Sequence, residues 1–248
     1  MIILKSPQEI AKMKDPCRMV AEVLELLKDM VRPGITTLAL NAAAEKEALK
    51  YRAKPAFKGY SGYPYSLCCS VNDQVVHGMP DNRELRAGDI LSLDFGVLYN
   101  GYYGDAAVTF PVGEISATAR KLLKVTEESL YAAIDVATPS NRLSDISYAV
   151  QSHVESHGFS VVRDFVGHGI GTSLHESPQV PNFGSPGRGI TLKPGMVLAI
   201  EPMVNEKGPD VKVLGDGWTA VTCDGGLSAH FEHTVAITDH GSEILTKL

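Results

Sequence analysis

A nine-residue stretch occurs twice in the chain, and this repeat limits the possible folds more than any other feature. RAGDILSLD, residues 86–94, aligns without gaps with KPGMVLAIE, residues 193–201. Both copies have a basic residue, a glycine two places later, a run of apolar or small residues and a terminal carboxylate. The repeat predicts two related halves, roughly 1–113 and 114–248, within a single domain that spans residues 1–248.

A pair of predicted helices precedes each copy of the repeat. In the first, Ser6 and Glu9 form a capping-box pattern around Pro7, and apolar residues then recur at three- and four-residue steps as far as Val31. Further helices are expected over residues 37–51, 117–137 and 144–157. The remaining segments are rich in β-branched residues and glycine turns, which is typical of strands. The sequence therefore predicts a mixed α/β chain of the α+β kind, in which each half places a helix pair on an antiparallel sheet.

Composition narrows the classes of function. The 248 residues are 44% hydrophobic and carry a net charge of −6, so a core can form and wholesale nucleic-acid binding is not indicated. No apolar run approaches the roughly 20 residues of a membrane span. The four cysteines form neither a disulfide framework nor a CxxC metal pattern, and no basic leader precedes an apolar segment. We expect a cytoplasmic, reduced protein.

The segment ILSLDFGVLYNGYYGDAAVTF, residues 90–110, holds two aspartates in an otherwise apolar context. The Asn100-Gly101 dipeptide predicts a two-residue hairpin turn, which places Gly96 opposite Asp105. Because strand side chains alternate between faces, Asp94 shares a face with Gly96 and hence with Asp105. Two carboxylates on one face, about 7 Å apart between backbones, repel each other. A cation held between them would neutralise both.

The second half supplies a similar pair. Glu201 ends the second copy of the repeat and Glu232 lies in SAHFEHTVAIT, so the four acids are expected at matched positions in the two halves. His168 lies among the glycines of VGHGIG, where the backbone can approach closely. As an alternative, each acid could pair with an arginine or cap a turn, but these strands contain no arginine or lysine. Carboxylates with one imidazole suit divalent ions such as Mn, Co, Fe, Mg or Zn, and two ions would balance four carboxylates.

The segments LDFG, GDAAVTF, VGHGIG, AIEPM and FEHT resemble, in order and spacing, the metal-binding set of the methionine aminopeptidases in their type I, bacterial-like form. The resemblance covers nearly the whole chain and implies the pita-bread fold, with a dinuclear metal site between two pseudo-twofold halves. It implies that Asp94 binds one metal, that Asp105 and Glu232 bridge both, and that His168 and Glu201 complete the other. The implied cofactors are two divalent ions, chosen from Co, Mn, Fe, Zn and Ni.

The same resemblance extends to residues that do not bind metal. His77 in VVHGMP and His175 in SLHESPQ match the family's two other active-site histidines, and with Glu201 they are the implied catalytic residues. Read alone, each histidine could instead lie on the surface or in the core. We expect His77 and His175 also to contact the substrate.

The segment FKGYSGYPYSLCCS resembles the lining of the family's methionine pocket. It contributes Phe57, Tyr60, Tyr63 and Cys68, and Trp218 in GDGWTA adds a further lining position. Apolar and soft side chains suit a thioether, although the same residues could simply form core. Phe57 stands where some members have cysteine, and Leu174 where many have phenylalanine, and both substitutions keep the pocket apolar.

The implied activity is removal of the N-terminal methionine from chains with a small second residue, by a water or hydroxide that bridges the metals. Two alternatives remain at this point: a proline-specific peptidase of the same fold, and a non-catalytic protein of this fold that only binds partners. The implied partners are nascent polypeptide N-termini, met at the ribosome. Sequence-specific nucleic-acid binding and membrane association are not expected, and the chain is expected to be a monomer.

Overall fold

Four long helices flank the strands, close to their predicted positions. The structure is a computed structural model that describes residues 2–247. The first helix has the predicted capping box, because Ser6 accepts from the backbone of Glu9 while the Glu9 carboxylate accepts from the backbone of Ser6. The observed helices are α1 (Pro7–Met30), α2 (Thr37–Lys50), α3 (Ala117–Val136) and α4 (Leu143–Ser156). Each boundary lies within one residue of the expected one.

Fifteen strands form four sheets in the described part of the chain, and every pairing in these sheets is antiparallel. Those of the first half are β1 (Lys54–Pro55), β2 (Cys68–Val71), β3 (Gln74–Val76), β4 (Ile90–Tyr99) and β5 (Tyr102–Pro111). Those of the second half are β6 (Ser160–Val161), β7 (Gly167–Gly169), β8 (Glu176–Val180), β9 (Val197–Ile200), β10 (Met203–Asn205), β11 (Val211–Val213), β12 (Ala220–Thr222), β13 (Ser228–His230), β14 (His233–Thr238) and β15 (Gly241–Ile244).

The largest sheets belong to different halves. In the first half, β4 pairs with β1, β2 and β5, and in the second the order is β15-β14-β9-β7-β8. A short 3₁₀ turn, Tyr60–Gly62, lies between β1 and β2. Helices α1 and α2 contact the first sheet, and α3 and α4 contact the second half. The prediction of helix pairs on antiparallel sheets is confirmed.

The repeat forms the same turn in both halves. Gly88 and Gly195, its shared glycines, both have positive φ, +99° and +92°, a conformation that favours glycine. The amide of Gly88 donates to Val112 at 2.9 Å, and that of Gly195 donates to Ile237 at 2.9 Å. The return bonds, from Val112 to Asp89 and from Ile237 to Met196, also match. Each turn therefore leads into the central strand of its half, β4 or β9, in the same way.

Each half has its own hydrophobic core. The first packs α1 and α2 on the face of β4 that carries Leu91, Leu93 and Phe95, opposite to the aspartates as predicted. The second packs α3 and α4 against β9 and β14. A third cluster, which includes Phe57 and Leu174, lies between them. Among residues 2–247, no helix has the combined length and hydrophobicity needed to cross a membrane.

Candidate metal centre

The hairpin of β4 and β5 has the predicted register. Asn100 and Gly101 both have positive φ, +49° and +83°, as the two-residue turn requires. Gly96 is opposite Asp105, and Asp94 is opposite Ala107. The two aspartates therefore share a face as diagonal neighbours.

Three of the four predicted acids have a buried oxygen with no hydrogen-bond partner. These atoms are Oδ1 of Asp94, Oδ1 of Asp105 and Oε1 of Glu232. Burial raises the pKa of Asp94 to about 7 and that of Glu201 to about 8. Burial, followed by repulsion from neighbouring carboxylates, also holds the pKa values of Asp105 and Glu232 well above their usual range. Buried acceptors without donors are costly, so this cluster is complete only with protons or a cation.

The pair Glu201 and Glu232 does not occupy the positions equivalent to the pair Asp94 and Asp105. The prediction that the four acids lie at matched positions in the two halves is therefore wrong. Glu201 is equivalent to Asp94 through the repeat. The pairings on either side, Ile200 with His233 and Met203 with His230, set Glu232 opposite Glu201, where the first half has Ala107 opposite Asp94. The counterpart of Asp105 is His230.

His230 also lies beside the acids, although the sequence analysis assigned it no role in the site. Its side chain is 1% exposed, and its Nε2 lies 3.5 Å from Oε2 of Glu201. Thr109 fixes its backbone from the first half, because the Thr109 hydroxyl donates to the His230 carbonyl at 2.8 Å and accepts from its amide at 2.9 Å. The repeat could not have pointed to this residue, because its constant spacing does not continue into the strands that pair with β4 and β9.

His168 presents one nitrogen to the acids. Its Nδ1 lies 2.9 Å from the carbonyl oxygen of Gly169, so Nδ1 carries the hydrogen and Nε2 is left as an acceptor. Nε2 is 3.6 Å from Oε1 of Glu201. Burial lowers the pKa of His168 to about 3, which keeps the ring neutral. Ligand atoms of Asp105, His168 and Glu232 all lie within 4.8 Å of one another, as a shared cation requires.

The glycines around His168 allow close backbone approach, as expected. A side chain on Gly167 would collide with the carbonyl oxygen of Ala199, and one on Gly169 would collide with that of Ser177. Strand β7 therefore fits closely between β8 and β9, and His168 is held opposite Ala199.

The two other predicted histidines also line the cavity and have different neighbours. Nδ1 of His175 is 2.7 Å from the Tyr60 hydroxyl, and its ring centroid is 4.3 Å from that of His168. The ring of His77 stands edge-on to Phe165, with centroids 5.4 Å apart. His77 has a φ of +61°, an uncommon conformation for a residue other than glycine. Burial lowers the pKa of His77 to about 4 and also lowers that of His175, so both rings are neutral near pH 7.

All twelve predicted site residues line one cavity of about 300 Å³. Its apolar side includes Tyr63 and Trp218, whose ring centroids are 5.1 Å apart, and the Tyr63 hydroxyl donates to the carbonyls of Leu67 and Gly78. The cavity lining consists of Phe57, Tyr60, Ser61, Tyr63, Cys68, Val76, His77, Asp94, Asp105, Asp164, Phe165, Val166, His168, Leu174, His175, Glu201, Trp218 and Glu232. Asp164 and Phe165, which directly precede VGHGIG, were not expected in the lining, and Ser61, Val76 and Val166 were not singled out within the quoted motifs.

Direct hydrogen bonds hold the two halves together at the cavity. The Thr234 hydroxyl donates to the carbonyl of Asp105 at 2.7 Å, and the amide of Glu232 donates to Ala107 at 2.8 Å. Because β5 and β14 are tied in this way, the acids of the two halves are fixed relative to one another.

Comparison with known proteins gives a consistent result. The sequence profile of metallopeptidase family M24 matches residues 11–239. A methionine aminopeptidase of Clostridium perfringens is 58% identical over 246 residues, 99% of each chain. The crystal structure of methionine aminopeptidase from Thermotoga maritima has a TM-score of 0.99 at 51% identity and covers 100% of both chains. Prolidase from Pyrococcus furiosus shares the fold, with a TM-score of 0.81 at 23% identity over 99% of this chain and 66% of its own. The chain therefore belongs to metallopeptidase family M24 and has its pita-bread fold.

Proposed function

We propose that this chain is a methionine aminopeptidase that removes the N-terminal methionine from polypeptides with a small second residue. The observation that carries the proposal is the joining of two features in one cavity. The cavity is lined both by buried acids, three of which have an unpartnered oxygen, and by apolar side chains that suit a thioether. The high identity to proteins named methionine aminopeptidase, over the full chain, supports the same function.

Members of family M24 are metallopeptidases, and the donors in this chain fit divalent metal ions. We infer that the ligands are Asp94, Asp105, His168, Glu201 and Glu232. Three unpartnered carboxylate oxygens and an imidazole nitrogen with a free lone pair are the donor types that Mn, Co, Fe, Zn and Ni accept. Four carboxylates would be balanced in charge by two such ions. Bound there, divalent ions would polarise the scissile carbonyl and lower the pKa of water towards neutrality.

We assign proton transfer to Glu201. Its side chain lines the cavity beside the other acids, where a carboxylate can take up a proton and release it again. In this role Glu201 accepts a proton from the attacking water and delivers it to the leaving amine. Nε2 of His230 lies 3.5 Å from Oε2 of this carboxylate.

The neutral histidines are assigned to the substrate amide. In the tautomer with its hydrogen on Nε2, His175 accepts from the Tyr60 hydroxyl at Nδ1 and can donate from Nε2 to the developing oxyanion. His77, which lines the cavity beside Phe165, is assigned to the peptide beyond the scissile bond. Neither ring needs to change protonation state near pH 7, because burial lowers the pKa of both.

The methionine side chain is assigned to the pocket lined by Phe57, Tyr60, Tyr63, Cys68 and Trp218. Burial raises the pKa of the Cys68 thiol well above its usual range, so the group stays neutral and behaves as a soft apolar surface. The edge-on arrangement of Tyr63 and Trp218 leaves ring faces and edges to contact a polarisable sulfur.

One assay separates this function from its two rivals. The chain is given Met-Gly-type and X-Pro peptides, with a metal-stripped sample as control. We expect release of methionine only from the first and only with metal present. Preference for X-Pro peptides would identify a proline-specific peptidase, and no hydrolysis with saturating metal would indicate a binding protein.

We infer that the natural substrates are nascent polypeptide N-termini, at or near the ribosome, and that the chain works as a cytoplasmic monomer. The buried free thiols of Cys17, Cys68 and Cys69 are consistent with a reducing compartment. We also infer a single catalytic domain, because the cavity takes its acids from both halves.

A further inference from the structure

A buried ion pair joins the beginning of the chain to the segment that carries His175. The ammonium of Lys5 lies 2.6 Å from Oε2 of Glu176, and the side chains are 3% and 5% exposed. In every other Lys or Arg ion pair within residues 2–247, one side chain is at least 43% exposed. This pair therefore differs in kind from the surface pairs of the protein.

The pair closes a tight turn. Oε1 of Glu176 accepts from the amide of Ser173 at 3.1 Å and from the hydroxyl of Thr172 at 3.4 Å. Gly171 leaves room for the pair, because a side chain there would come within 2.8 Å of the carboxylate and 2.9 Å of the ammonium. Lys5 is itself held in place, since its amide donates to Gly195 at 2.7 Å and its ammonium to Ile3 at 3.2 Å.

The turn spans residues 171–176 and connects two histidines of the cavity. Strand β7, which carries His168, ends just before it, and Glu176 directly follows His175. Displacement of Glu176 would therefore move His175 relative to Tyr60, its partner at 2.7 Å.

Stability alone does not call for charges at this position. Two buried charges lose their hydration, and apolar side chains of similar volume can be as stabilising or more so. A charge-assisted hydrogen bond has a narrower range of distance and direction than an apolar contact. What the pair supplies is a fixed position for the carboxylate of Glu176.

We propose that Lys5 and Glu176 are positioning residues, which hold His175 in the orientation that donates to the substrate carbonyl. This role rests on the proposed function of the cavity. It predicts that loss of the pair lowers kcat, while metal content and KM change little. A misplacement of about 1 Å can reduce a rate about 100-fold, so we expect a loss of about 10-fold or more.

The test compares three variants with the unaltered metal-loaded enzyme. Lys5→Met leaves a buried carboxylate unpaired and could fail to fold. Lys5→Met combined with Glu176→Gln removes both charges and avoids that penalty. Lys14→Met is the matched control, because Lys14 pairs with Glu243 at the same distance, 2.6 Å, but with side chains 53% and 42% exposed. Turnover of a Met-Gly-type peptide, metal stoichiometry and imidazole NMR resonances are measured for each.

We expect kcat to fall in the double variant, and by a similar factor in the single variant if it folds, because both lose the same contact. Lys14→Met should match the unaltered chain. Unchanged kcat in the double variant, or a fall that follows loss of metal, would overturn the role. If the unaltered chain does not cleave the peptide, the proposed function fails. The role is then judged from the His175 resonances, which must shift in the double variant and not in Lys14→Met.

Discussion

Asp94 and Asp105 lie on one face of the β4–β5 hairpin as diagonal neighbours, and Gly96, directly opposite Asp105, places no side chain on that face. Each aspartate has a buried oxygen without a hydrogen-bond partner. Their repulsion can be relieved only by protons or by a cation, and these compete for the same oxygens. This competition links the stability of the protein to pH and to metal.

The first prediction is that the metal-free protein becomes less stable as pH rises from about 6.5 to 8. Burial raises the pKa of Asp94 to about 7 and of Glu201 to about 8, whereas carboxyls of an unfolded chain titrate near pH 4. In this window the folded chain binds more protons than the unfolded chain, so the free energy of unfolding falls with rising pH. Below pH 6.5 the lowered pKa values of His77 and His168 have the opposite effect, because there the unfolded histidines bind protons that the folded ones do not, and the free energy of unfolding falls as pH falls.

Differential scanning calorimetry in a chelator checks this expectation. The same scans with saturating Mn²⁺ serve as the control, because a bound cation replaces the protons and should remove the decline. A metal-free Tm that rises between pH 6.5 and 8 would contradict the assignment.

The second prediction concerns Glu201→Gln. The amide has nearly the same shape but cannot carry the proton, so we expect the fold to be retained and kcat to fall about 100-fold or more. Turnover is measured at saturating metal, so that weaker binding of the ion does not account for the loss, and circular dichroism checks the fold. Near-normal kcat would remove Glu201 from the proposed mechanism.

The third prediction concerns His77→Ala and His175→Ala. Loss of one donor to a developing oxyanion costs on the order of 100-fold or more in kcat, so His175→Ala should lower kcat by that amount, and His77→Ala should lower kcat/KM. Metal stoichiometry should stay constant in both. Tyr60→Phe removes only the hydroxyl that faces His175 and should have a smaller effect. Stoichiometric loss of metal from either alanine variant would mean that the histidine is a ligand.

The fourth prediction concerns Gly96→Ala. An added methyl group would lie 3.0 Å from Oδ1 of Asp105 and 3.0 Å from the Phe57 ring, so the carboxylate must move. We expect metal affinity, measured by titration calorimetry with Mn²⁺, to weaken about 10-fold, as for other displaced supports of a ligand. Gly215→Ala is the control, because nothing lies within 4 Å of the added carbon there. Equal affinities in the two variants would argue against Asp105 as a ligand.

Local signals in the sequence account for much of the fold. The Ser6–Glu9 capping box and the Asn100-Gly101 turn act over a few residues, and both have the predicted geometry. The turn then fixes the register of the whole hairpin, which is why the shared face of Asp94 and Asp105 could be derived without the structure.

Contacts between distant segments could not be derived in this way. Lys5 and Glu176 are 171 residues apart, and no periodicity links them. Asp164 reaches the cavity from a loop whose conformation has no turn signal of its own. The prediction that Glu232 occupies the position equivalent to Asp105 was wrong for a related reason. The repeat covers β4 and β9, but it does not extend to the strands that pair with them.

That failure of symmetry has an evolutionary consequence. The matching turns at Gly88 and Gly195 suggest that one unit was duplicated, and an ancestor built from two identical copies would have had a cavity with equivalent ends. Such a cavity could not distinguish the amino end of a peptide from the chain that follows. Where the second half places His168 opposite Ala199, the first has Ser70 opposite the equivalent Ser92. At these equivalent positions the second half carries an imidazole where the first carries a hydroxyl, so the two halves no longer present the same groups.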